Sequence, residues 1–266
     1  MSTSVFAYVF TKGAIQKLKA LRGLVVPAIL LLLWQWQSGR SDVHAYAFTP
    51  LQNVANSFLE LIENGELWVN LLGSLQRTST GLLIGGIAGL LLGSAMALSK
   101  IVNTLVSPLY HSIRQVPLLG LVPLIGLWVG NGEPAKVFII SLAAFYPMVL
   151  NTYEGLHHVD DSYREVGRIY GFGKLRLFWR VQLPAALPSL FTGLTQAVPF
   201  AWITAVGSEL LFNAGAGLGN LMMTAELGAR MDIIIVCATA VTVLGVAMSY
   251  GVNALSDHVL RWRGAR

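Results

Sequence analysis

The stretch EVGRIYGFGKLRLFWRVQLPAALP, Glu165 to Pro188, decides how this chain is read. It is basic, interrupted by Gly171 and Gly173, closed by Pro184 and Pro188, and set between long apolar runs. Asp160 or Asp161 can cap a short helix that runs through Arg164, Glu165 and Arg168 to about Tyr170. The two glycines break it, and Leu175 to Val181 begins a second helix, basic and aromatic. The prolines mark where that helix meets the next apolar run. Phe172, Leu177, Phe178 and Trp179 present more apolar surface than a solvated loop needs. Part of it must face lipid, neighbouring helices or another protein.

On either side the composition is that of a membrane protein. Hydrophobic residues make up 55% of the 266 and charged residues 12%, against about 25% charged in an ordinary soluble domain. The mean hydropathy is +0.63. A net charge of +5 does not point to nucleic acid, because the basic residues sit in short segments between apolar spans, where they fix topology. The single cysteine, Cys237, excludes an internal disulfide and a cysteine-rich metal site.

The apolar runs predict an all-α integral membrane protein with six transmembrane helices. The spans are Leu24 to Trp36, Trp68 to Leu98, Leu109 to Val129, Ala135 to Thr152, Leu190 to Leu211 and Ile233 to Leu255. Lys12, Lys17, Lys19 and Arg22 ahead of the first span also suit a signal peptide, but no small-residue cleavage pattern follows Trp36, so the span is expected to be retained. Leu51, Val54, Phe58, Leu59 and Ile62 recur about once per turn and suggest an amphipathic helix at the membrane surface. Gly81, Gly85, Gly89 and Gly93 lie four apart on one face of the second span, the spacing that lets another transmembrane helix approach closely. Pro117 and Pro123 should kink or break the third span, which is tolerable only where protein or an aqueous cavity covers the loosened backbone.

Six spans place both termini on one side. With the amino terminus inside, all of the 18 Lys and Arg residues except Arg40, Arg77, Lys136 and Arg230 fall at or near the cytoplasmic face, as positive-inside insertion requires. Residues 154–188 then form a cytoplasmic loop within a 23–256 membrane domain. Residues 1–22 and 257–266 are cytoplasmic ends.

In that loop, Glu165, Gly171 six positions later, and the run Val181, Gln182, Leu183, Pro184 resemble the EAA-type motif of ABC importer permeases. Val166 and Gly167 depart from it, standing where alanines are usual. The resemblance covers nearly the whole chain beyond the first twenty or so residues and lies with the nitrate/sulfonate/taurine branch. It extends to Ser74-Leu75-Gln76-Arg77 with Gly81, Arg114 to Trp128, Asn151-Thr152-Tyr153, Gly207-Ser208-Glu209 with Gly217-Leu218-Gly219, and Arg261-Trp262. It implies a permease of the bacterial plasma membrane working as two copies, with two ATP-binding subunits and an extracytoplasmic solute-binding protein. It also implies that Tyr163, Arg164, Glu165, Arg168, Gly171 and Phe172 contact the ATPase. ATP and Mg would bind in that partner, since Gly171-Phe172-Gly173-Lys174 lacks the spacing and preceding strand of a phosphate loop. No cofactor or metal is expected in this chain.

Polar groups within the spans are candidates for the pathway or its gate. They are His111, Arg114 and Gln115, placed near the cytoplasmic end of the third span, and Gln196, Trp202 and Glu209 in the fifth. Glu209 repels an anion, which favours a structural hydrogen bond or a gate position. Arg114 suits an anion but equally suits a lipid headgroup. Asn213 to Arg230 reads as an outer loop or a short re-entrant segment. His157 and His158 lack a third ligand or a catalytic partner, so an enzyme is disfavoured. The expected cargo is a small organic sulfonate such as an alkanesulfonate or taurine, with nitrate, bicarbonate or another small solute as alternatives. A freestanding channel or secondary transporter is the competing class.

Overall fold

The structure is a computed structural model that describes residues 25–40, 48–212 and 214–263. Lys12, Lys17, Lys19, Arg22, Asn213 and Arg266 lie outside the described residues. All regular elements among the described residues are helical. They are α1 (Val25–Ser38), α2 (Leu51–Glu63), α3 (Glu66–Leu98), α4 (Lys100–Ile113), α5 (Val122–Val129), α6 (Glu133–His157), α7 (Asp161–Ile169), α8 (Lys174–Leu211), α9 (Leu218–Leu227) and α10 (Met231–Val259). Four of them, α3, α6, α8 and α10, are long and apolar enough to cross a membrane.

The bundle is built on α3 against α6, its most extensive helix pair. Gly81, Gly85, Gly89 and Gly93 are all buried at that contact. A Cβ on Gly89 would lie 2.6 Å from Met148 Cβ, and one on Gly93 would lie 2.6 Å from the Val149 carbonyl oxygen. On Gly85 it would strike the Ser141 carbonyl. Contact numbers rise together along both helices, so α3 and α6 are parallel. Gly155 and Gly193 bring α6 and α8 together in the opposite sense, against Ser189 and Asn151 respectively. Trp202 ties α8 to α10, its indole Nε1 donating to the Val241 carbonyl at 3.0 Å.

Because α3 and α6 are parallel, the chain between them must recross the layer. It does so as a bent pair, α4 and the short 3-10 turn Leu118–Leu121 leading into α5, with an 87° bend. The third span is therefore not one apolar helix from Leu109. It starts at Lys100, where Ser99 accepts from Val102 N at 3.4 Å as the N-cap, and breaks before Pro117. Pro123 does not break it again, because it falls in the first turn of α5, where a missing N–H costs nothing. The second loop helix differs from expectation too. It does not stop at Pro184 but runs on as α8, through a π turn at Phe178–Gln182. That turn delivers Pro184 to the first turn of the resumed α-helix.

The amphipathic helix is present as α2, with Ser57 and Leu61 buried. It is held at one end by the Asp232 carboxylate, which accepts from Ser57 Oγ, and by Arg230, 3.2 Å from Glu60. The last turn of α1 meets its start, Gln35 Oε1 accepting from Leu51 N at 3.0 Å.

Candidate functional site

Helix α7 stands at the end of the bundle where α6 stops and α8 begins. Asp160 caps it, accepting from Ser162 N at 2.9 Å. The Ser162 hydrogen bonds hold the Asp160 carboxyl below its ordinary range. Its exit is a Schellman turn: Phe172 N donates to the Gly167 carbonyl at 3.0 Å and Gly171 N to that of Arg168 at 2.9 Å. Gly171 sits at φ +75°, a left-handed conformation that glycine adopts without a Cβ penalty. Gly167 is the one buried residue of α7, and the Leu177 side chain of α8 fills the place where its Cβ would be. At this departure from alanine in the motif, the Leu177 side chain occupies the space a methyl would take.

Arg164 fastens α7 to the end of α6, donating through Nη2 to the Leu156 carbonyl at 3.0 Å. Glu165 and Arg168 are exposed. So are the apolar residues Tyr163, Val166, Ile169 and Tyr170, the last two at 84% and 75%. A helix that buries a glycine and exposes its large apolar side chains is oriented toward something outside this chain. Phe172 is half-buried over Gly167, with the Arg176 guanidinium 5.8 Å from its ring centre.

At the opposite end lies a largely buried ionic cluster, with only Glu133 half exposed. Arg77 of α3 is bidentate to Glu133 of α6, Nε to Oε2 at 2.7 Å and Nη2 to Oε1 at 2.8 Å. Its Nη1 pairs with Glu209 of α8, and its Nη2 also donates to the Ala216 carbonyl at 2.9 Å. Glu209 is wholly buried. It accepts from Ser74 Oγ at 2.8 Å and from the Gly219 amide at 2.9 Å. Lys136, also wholly buried, donates to the Ala214 carbonyl. Two cations and two carboxylates thus clamp the Ala214–Gly217 turn and the buried start of α9 to three spans. Gly217 and Gly219 are required there, since a Cβ on either would lie within 2.7 Å of Glu209.

Of the pathway candidates, Glu209 and Trp202 are therefore engaged in helix contacts. Gln196 is exposed, its Oε1 accepting from Asn151 Nδ2 at 3.1 Å. Ser74, Glu133 and Lys136 were not singled out from sequence as a site. The signal was available for Lys136, an ionisable residue inside an apolar run, which requires a partner.

His111, Arg114 and Gln115 follow Tyr110, which is tied to the middle of α6. Tyr110 Oη donates to the Tyr146 carbonyl at 2.7 Å, and the Arg114 guanidinium lies 5.9 Å from the Tyr110 ring centre. Tyr146 is at the midpoint of the apolar part of α6, between Lys136 and Glu154. All three residues are exposed, and Arg114 forms no ion pair among the described residues. An arginine facing hydrocarbon at that depth costs about 3 kcal/mol or more. Helix α4 begins at Lys100, nine residues before the apolar run that starts at Leu109.

Residues 81–263 match the family of binding-protein-dependent transport system inner membrane components. The chain belongs to that family; it is an ABC-importer permease. A Bacillus subtilis protein assigned as an aliphatic sulfonates transport permease, SsuC, is 31% identical over 245 residues, 92% of this chain and 88% of that protein. The nitrate import permease NrtB of Leptolyngbya laminosa is 29% identical over 242 residues, 88% of this chain and 86% of that protein. Among solved structures, an amino acid ABC transporter crystallised with histidines superposes with a TM-score of 0.60 at 20% identity, covering 76% of this chain and 98% of that one. That likeness concerns the fold.

Proposed function

We propose that this permease imports a small organic sulfonate, an alkanesulfonate or taurine, delivered by an extracytoplasmic binding protein and driven by ATP hydrolysis in a separate subunit. Two copies form one pathway, each engaged by one of two ATP-binding subunits that hold the ATP and Mg. The observation that carries the reading is the outward apolar row of α7, Tyr163, Val166, Ile169 and Tyr170, capped at both ends so that it is presented as a rigid unit. Glu165 and Arg168 flank that row as polar anchors, while Arg164, Gly171 and Phe172 hold it in place.

In this reading α1 is the first of six spans and the bent α4–α5 pair is the third. Both termini and residues 154–188 are cytoplasmic, and the ionic cluster faces the binding protein across a bacterial plasma membrane. Closure of the ATPases draws the two α7 helices together and opens the pathway outward. Hydrolysis returns it inward. The sulfonate choice is favoured by the identity to the Bacillus protein; nitrate is the alternative raised by the Leptolyngbya relative, and bicarbonate shares its charge.

The test is reconstitution with the partner ATPase and binding protein, followed by ATP-dependent uptake of sulfonates, nitrate and bicarbonate. Sulfonate uptake that stops with a hydrolysis-dead ATPase supports the full reading. Nitrate or bicarbonate uptake replaces the cargo, and flux without the ATPase removes the importer mechanism.

A further inference from the structure

The last turn of α4 and the start of the break carry four polar or charged positions, 111, 112, 114 and 115, around Ile113, all exposed and following Tyr110, which is tied to the middle of α6. Hydrocarbon does not solvate such a group, and half the hydrocarbon thickness, about 15 Å, separates it from either headgroup layer. Irregular backbone at this depth occurs only where protein or a water-filled cavity covers it. A cavity lies just beyond the break. It has a volume of about 480 Å³ and is lined by Leu119, Val122, Pro123, Asn131, Leu211 and Phe212, between the break and the ionic cluster. The broken span thus borders open space on the far side of the break and carries the cation at the break itself.

We propose that Arg114 is the specificity-determining residue of the pathway, recognising the oxyanion group of the cargo halfway across the membrane. The proposal rests on the importer reading and deepens it. A guanidinium offers forked N–H donors that match a planar or tetrahedral oxyanion, whether sulfonate, nitrate or bicarbonate. The Tyr110 ring holds it from behind, and Tyr110 is itself fixed to α6 through the Tyr146 carbonyl. His111 and Gln115 supply further hydrogen-bonding groups beside it. With two copies around one pathway, two such guanidinium groups face the passing anion. The buried carboxylate Glu209 and the half-exposed Glu133 are kept out of its way, both being paired with Arg77 within the ionic cluster.

The assembled permease with its ATPase and binding protein in proteoliposomes tests this, with taurine, ethanesulfonate, nitrate and bicarbonate as probes. Arg114→Gln should lower uptake of whichever anion the wild type carries by about tenfold or more, the loss of a charge-assisted hydrogen bond. Arg114→Lys, which keeps the charge, should recover much of the uptake. Unchanged uptake by Arg114→Gln overturns the proposal alone. Failure of the wild type to carry any of the four anions removes the oxyanion cargo of the proposed function and the proposal with it.

A second readout does not depend on Arg114 variants folding. Gln115→Cys should react with a membrane-impermeant thiol reagent, whereas Leu91→Cys, exposed and apolar at similar depth on α3, should not. Cys237, the native cysteine, is buried and gives little background. Labelling of Gln115→Cys only by a lipid-soluble reagent would place the segment against lipid and overturn the proposal.

Discussion

Gly171 and Gly167 show how single residues set the loop. Gly171 closes α7 in the left-handed region, so Gly171→Ala should cost about 1–2 kcal/mol of local stability and weaken ATPase binding in a pull-down of the solubilised complex. At Gly167 two effects oppose each other. Alanine raises helix propensity by up to about 1 kcal/mol, yet its methyl displaces the end of the Leu177 side chain. Gly167→Ala should therefore be close to neutral in the same binding measurement, while Gly167→Val should lift α7 from α8 and lose binding. Equal behaviour of the two variants would mean that Leu177 does not seat the helix. At the far end, Arg77→Met leaves the buried Glu209 without its cation and should cost about 3–5 kcal/mol, read as lost thermal stability or yield. Glu209→Gln should be milder, because Arg77 keeps both bonds to Glu133.

Helix against helix, the controlling contact is the glycine face of α3. Gly85→Ala strikes backbone, the Ser141 carbonyl, and should destabilise the detergent-solubilised protein by about 1–3 kcal/mol. Gly86, one residue on, has nothing within 4 Å of a Cβ, so Gly86→Ala should stay within about 0.5 kcal/mol. Similar melting temperatures for the two would contradict the parallel α3–α6 packing. The glycine spacing was legible because a four-residue repeat maps onto one helix face whatever the partner is. The partner itself was not, since nothing local distinguishes α6 from any other span. The break in the third span was legible from Pro117, but its level along α6 was not. That level depends on where α4 starts, and Ser99 and Lys100 start it outside the apolar window.

Across the whole molecule, the loop and the ionic cluster sit at opposite ends of α6, roughly 37 Å apart for 25 residues at 1.5 Å each. Hydrogen exchange should follow that division. Amides of α3 and α6 should be the slowest to exchange, and those of Asp161–Ile169 should become protected only when the ATPase subunit is added. Protection of α7 in the isolated permease would show its apolar row already covered. The sequence revealed the loop because its charges stand out between apolar runs. It concealed the cluster because Arg77 finds its carboxylates 56 and 132 positions away, a distance no periodicity spans. The parallel α3–α6 pair also constrains how the protein is made. Its two halves leave the ribosome on either side of α4 and α5, so α3 must wait in the translocon or the lipid for α6, a delay of seconds at about 5–20 residues per second. During that interval α4 carries Arg114 with no finished surface to shelter it. Substitutions on the glycine face should therefore appear first as chains lost to membrane proteases during synthesis, ahead of any defect in the surviving transporters.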